Sequence, residues 1–188
     1  MGFWSWLNAT YDDVEVTDAP SEEEARTDEL CARCMKAALE GFAAFKNVAP
    51  LNGNGTPSPT ARAMVEFVYF MMFYCHAKAG RRSSKVSKQS FYYKFLHNTG
   101  VAFASNVRER EAVEAYFLRS LDNAAAEYTR CKAVWNENEG GMLHMLLRRL
   151  QAFTPVSVNT AAQPVRRQLE GAILAEGIDA ALAAVLKL

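Results

Sequence analysis

Apolar residues recur at steps of three and four through most of the chain, and no stretch alternates with the period of two that marks a half-buried strand. The first such stripe is Leu30, Cys34, Ala38, Phe42 and Phe45. Ser21 and Glu24 stand ahead of it at the spacing of a capping box, in which each side chain satisfies the other's orphan amide. The acids around Glu24 also suit the positive end of a helix dipole. Leu51 to Pro59, LNGNGTPSP, is dense in breakers and reads as a loop. Ser58 then caps a second helix whose first position is Pro59, where the missing N–H costs nothing. That helix runs to about Ala79 and is apolar on nearly every face, the pattern of a helix surrounded by others.

A shorter helix is expected from about Lys88 to His97, ended by Asn98-Thr99-Gly100. Asn106 with Glu109 opens the longest helix, whose stripe of Val113, Phe117, Leu121, Ala124, Tyr128, Cys131 and Trp135 carries it to about residue 135. Gly140-Gly141 interrupts, and Met142 to Phe153 resumes as a helix ended before Pro155. Thr160 and Gln163 cap the last unit, which Gly177 splits into a helix to Glu176 and a closing one to Leu188. The fold class that follows is all-α: a single compact bundle of six to seven helices over residues 21–188. The helix from Pro59 is at its centre, and residues 1–20 form an N-terminal arm. No internal repeat is visible, which argues against a solenoid.

With 188 residues the chain is long enough to bury a core without staples. Half its residues are apolar and 22% are charged, as in ordinary globular proteins. MGFWSWL lacks the basic segment of a secretory signal. The longest apolar run, Met64 to Cys75, contains Glu66 and falls short of the roughly 20 residues that span a bilayer. Four cysteines without a framework suit a reducing compartment. A cytoplasmic protein with no membrane span is expected.

Candidate chemistry is sparse. Cys31-Ala-Arg-Cys34 has the CxxC spacing, and Cys75-His76 could add two more ligands. No second pair matches it and no strand precedes it, so the cysteines read as small apolar residues of the buried stripe. His76, His97 and His144 fall on three different helices without a His-x-x-x-His or Glu-x-x-His pattern, and they read as hydrogen-bonded structural residues. No nucleophile elbow, phosphate-binding loop or dinucleotide fingerprint occurs. Glu66 is the one unusual carboxylate. Burial would raise its pKa as in a general acid, but a salt bridge to an arginine of the long helix, or a place on the one wet edge of its own helix, accounts for it more simply. No catalytic residue, cofactor or metal is expected. An enzyme using Glu66, Cys75 or His76 stands as a third class of function behind the two that follow.

Charge is segregated although it sums to zero from 21 bases and 21 acids. Between Asp12 and Glu29 nine acids face one base, Arg26, whereas no acid occurs between Glu66 and Glu109. Within that acid-free stretch Arg81, Arg82, Lys85, Lys88 and Lys94 interleave with Tyr92 and Tyr93, a combination suited to phosphates and stacked bases. A short helix, a tight turn and another helix there also follow the helix-turn-helix outline loosely. The stretch could equally dock on the protein's own acidic arm. In that arm Phe3, Trp4, Trp6, Leu7 and Tyr11 are too apolar to leave in water and are of the kinds that anchor interfaces. The expected function is therefore that of a non-enzymatic helical interaction or regulatory protein, adaptor- or inhibitor-like, whose arm engages another protein or a second copy of itself. The alternative is a small nucleic-acid- or polyanion-binding protein using residues 78–94.

Overall fold

A computed structural model describes residues 21–79, 94–95, 97, 99–100, 107–138 and 140–186. Among them the architecture is all-α, with six helices longer than a few residues and no strands. These are α1 (Glu22–Val48), α2 (Pro59–Ala79), α3 (Val107–Tyr128), α4 (Met142–Leu150), α5 (Ala162–Ala175) and α6 (Ile178–Val185). Short 3-10 turns lie at Gln151–Phe153 and Val158–Ala161.

The starts of α1 and α2 form as their sequences dictate. The Glu24 amide donates to Ser21 Oγ at 3.2 Å, and the Ser21 amide donates to a Glu24 carboxylate oxygen at 2.8 Å. Ser58 Oγ accepts from the Ala61 amide at 3.2 Å, with Pro59 at the first helical position. α2 packs against α1, α3, α4 and α6 and is buried from Ala63 to Cys75, so it is the central helix of the bundle. α1 runs antiparallel to it: Phe42 meets Phe67 with centroids 5.9 Å apart, while Cys34 lies opposite Cys75. On α2's other side Tyr69 meets Phe117 at 4.9 Å, and Phe73 stacks on Tyr128 at 5.2 Å. Each fully buried aromatic or aliphatic side chain of this kind gives roughly 1.5–3 kcal/mol relative to exposure.

Three local expectations need correction. The helix expected to be the longest, α3, does not reach Trp135 but ends at Tyr128, and its 22 residues are fewer than the 27 of α1. Residues 129–138 and 140–141 instead lie outside the helices, and the carbonyls of Ala133, Val134 and Asn136 accept from the first amides of α4: Met142, Leu143 and His144. A helix start leaves such donors unpaired, and Gly141, the N-cap here, has no side chain to satisfy them. Gly141 is also required, since a Cβ there would lie 1.9 Å from the Asn136 carbonyl oxygen. Trp135 still reaches Phe70 of α2 from this segment, centroids 5.7 Å apart.

The second correction concerns Thr99 and Gly100, which are helical rather than a turn. Thr99 is buried and its hydroxyl donates to the Phe95 carbonyl at 2.6 Å, continuing the helix past the expected stop. The expected turn is therefore not at Thr99-Gly100, while Asn98 and residues 101–106 lie outside the described residues. Third, Thr160 and Gln163 do not cap α5. Ser157 caps the preceding 3-10 turn, and Gln163 donates to Glu137 at 2.7 Å. Gly177 does divide the C-terminal unit, with φ of +60° that favours glycine.

Candidate functional site

The arm residues Phe3, Trp4, Trp6, Leu7 and Tyr11 lie outside the described residues, as do Arg81, Arg82, Lys85, Lys88, Tyr92 and Tyr93. Lys78 and Lys94, at the two ends of the basic stretch, are described, and each is paired with a carboxylate. Lys94 is half-buried and ion-paired with Asp28 of α1, and Lys78 Nζ donates to Asp179 Oδ2 of α6 at 3.3 Å. At its far end, therefore, the basic stretch touches the acidic start of α1. Exposed pairs of this sort are worth about 0–1 kcal/mol and hold a long side chain only loosely.

Cys31 and Cys34 of α1 and Cys75 of α2 are all buried. Cys34 Sγ and Cys75 Sγ are 3.6 Å apart. Burial pushes the Cys31 and Cys34 thiols well up, and Cys75 beside them adds to the shift. Among the described residues no group of three or more histidines, cysteines or acids is arranged to hold a metal ion. The histidines have separate local surroundings: His97 Nδ1 lies 3.3 Å from an Arg110 nitrogen, His144 Nδ1 lies 3.2 Å from the Glu137 carbonyl, and His76 meets the edge of Phe73.

Glu66 is buried, 2% exposed, in the middle of α2. Its partner is an arginine, but of α4 rather than of the long helix. Arg149 Nε donates to one Glu66 oxygen, its NH2 donates to the other at 3.2 Å, and the Tyr116 hydroxyl adds a bond of 3.3 Å. The same guanidinium donates to Glu127, which also accepts from Arg148. Burial raises the Glu66 pKa, against the pull of Arg149 and Tyr116. Burial disfavours the Arg149 charge, yet the bonds from Glu66 and Glu127 outweigh it and hold the guanidinium firmly protonated. With both carboxylate oxygens occupied by partners within the bundle, this group joins α2, α3 and α4.

A surface groove of about 390 Å³ opens where the end of α2, Trp135 of the segment after α3, α5 and α6 meet. Its floor is aromatic, with Tyr74 and Trp135 centroids 6.2 Å apart. Its wall is Ile173 and Leu174 of α5, and Leu174 is 83% exposed. Lys78, Glu170 and Asp179 place charges around it. Tyr74 is fixed from two sides: its hydroxyl donates to Asp179 Oδ1 at 2.6 Å, and the Lys78 ammonium lies 5.4 Å from its ring centroid. Burial raises the Tyr74 phenol, and the Asp179 bond raises it further. Sequence reasoning did not find this groove. The one signal for it was Leu174, an apolar residue one position beyond the buried Leu169, Ala172 and Ile173 of α5.

Among the described residues no helix is long and apolar enough to cross a membrane. Comparison with family models, with curated proteins and with solved structures finds no match to this chain. The class that the fold defines is an all-α helical bundle.

Proposed function

We propose that this is a non-enzymatic interaction protein, adaptor- or inhibitor-like, that presents helical and N-terminal surfaces to another protein. The observation that carries this reading is the groove over Tyr74 and Trp135 with the exposed Leu174 at its edge. Aromatic floors with apolar walls and a polar rim are where interface binding energy concentrates. The Trp-rich arm supplies a second surface of interface composition in the same chain.

Affinity capture from cells with the full chain, the 21–188 truncation and Leu174→Glu is the direct test. The expected result is one protein partner retained by the full chain and lost with either change, while helicity is unaltered in both. Association that survives both changes would overturn the assignment of these surfaces. Salt-sensitive binding of random-sequence DNA by the full chain, weakened by charge reversal at Arg81 and Arg82, would replace the reading with the polyanion one.

A further inference from the structure

The three buried cysteines of α1 and α2 are not absorbed by the interaction reading. We propose that Cys34 and Cys75 are a disulfide-forming pair, oxidised by a small peroxide, that reversibly staples α1 to α2. The two sulfurs already touch at 3.6 Å across the helix pair. A disulfide needs roughly 2.0 Å between them, a movement within reach of small side-chain rotations. Both residues sit on faces that the core holds opposite one another, with Phe42 and Phe67 packed farther along the same interface. Proximity therefore favours this pair over any reaction between molecules. Cys31 lies one turn earlier on α1, on the same buried stripe.

Burial selects the oxidant. Neither sulfur is open to a bulky disulfide reagent, since Cys34 is 0% and Cys75 3% exposed. A peroxide is the smallest such oxidant, and Cys75 lies two and three residues before the exposed Ala77 and Lys78. The Cys75 thiolate attacks one peroxide oxygen; an S–O bond forms, the O–O bond breaks, and hydroxide leaves with the proton that Cys75 gave up, as water. Cys34 sulfur then attacks Cys75 Sγ. The S–S bond forms, the S–O bond breaks, and the Cys34 proton leaves with the hydroxyl as a second water. Two thiols are oxidised by two electrons and one peroxide is reduced. A dithiol reductant reverses the change by exchange. Because both sulfurs are buried, entry of the reagent limits the rate in each direction, for the peroxide that forms the bond and for the dithiol that reduces it.

The test treats the folded full chain with hydrogen peroxide, blocks the remaining thiols, and maps peptides without reduction. The expected product has lost two hydrogens and yields a linked peptide joining Cys34 to Cys75. Because the bridge spans 41 positions of sequence, the midpoint of thermal unfolding should rise by roughly 5–10 °C and return on reduction with a dithiol. Cys31→Ala should retain the link, and Cys75→Ala should lose both the link and the thermal shift. Oxidation of Cys34 and Cys75 to sulfinic acids without a link would overturn the proposal. So would a link made through Cys31 instead, or one that forms only when denaturant is present.

Discussion

Arg149 brings its charge to a carboxylate that water does not reach. Glu66 is 2% exposed and the Arg149 side chain 10% exposed, so the pair lies in a medium where an unmatched charge is costly. Arg149→Met removes the guanidinium and leaves both Glu66 and Glu127 without it. The expected loss is about 3 kcal/mol in denaturant unfolding. Glu66→Met combined with Arg149→Met should recover most of that, because an apolar pair of similar volume avoids the desolvation cost altogether. The sign of the pH dependence separates this from simple loss of packing. Burial raises the Glu66 carboxyl in the folded state, so the folded protein binds that proton more tightly than the unfolded chain does. Arg149→Met, which leaves burial unopposed by the guanidinium, should therefore regain stability as pH falls from about 7 to about 5, and the double variant should not. A flat pH response in Arg149→Met would mean that Glu66 reaches water.

At the scale of elements, two glycines in long helices give opposite expectations. Gly41 of α1 lies against α5, where a Cβ would come within 2.6 Å of the Leu169 side chain and 3.1 Å of Phe67. Gly171 of α5 has nothing within 4 Å of the same position. Gly41→Ala should destabilise by about 1–2 kcal/mol through overpacking of the α1–α5 contact. Gly171→Ala should stabilise by roughly 0.5–1 kcal/mol by restricting the unfolded chain within a helix. Thermal melts of the two variants beside the parent decide it, and a shift of the same sign in both would contradict the packing described. Such close approaches show why only part of the fold was legible in the sequence. The helix starts at Ser21 and Ser58 depend on residues three apart, and the structure keeps both. The end of α3 depends on what Ala133, Val134 and Asn136 do for α4, so a stripe that continues through Cys131 to Trp135 misplaces it. Of the two structural readings of Glu66 the structure keeps the paired carboxylate and not the wet edge, but its arginine stands 83 positions away and local spacing cannot choose among candidates at that range. The groove is less visible still, because Tyr74, Trp135 and Leu174 come from three elements that meet only when the bundle closes.

For the whole molecule, the density of weak acids in the core sets where stability ends. Burial raises the phenols of Tyr69, Tyr74 and Tyr128 and the thiols of Cys31 and Cys34, and it pushes Tyr116 up to about 12. Once unfolded, the same groups ionise at roughly 8.5 for thiols and 10 for phenols. Above those values the unfolded chain has released protons that the folded one still holds. Stability is therefore fully present below about pH 8.5 and falls as pH rises toward the folded-state values. A gap of two pH units on one fully buried group corresponds to about 2.7 kcal/mol, and domains of this size have only about 5–15 kcal/mol in total. A few of these groups acting together are enough to unfold the bundle. Under reducing conditions, tyrosinate absorbance and helical circular dichroism should change in one coincident transition at about pH 10–11, steeper than the titration of a free phenol. If the phenols instead ionised gradually near pH 10 while the helices persisted, the aromatic face between α2 and α3 would be open to water, and Tyr69 and Tyr128 would not be core residues.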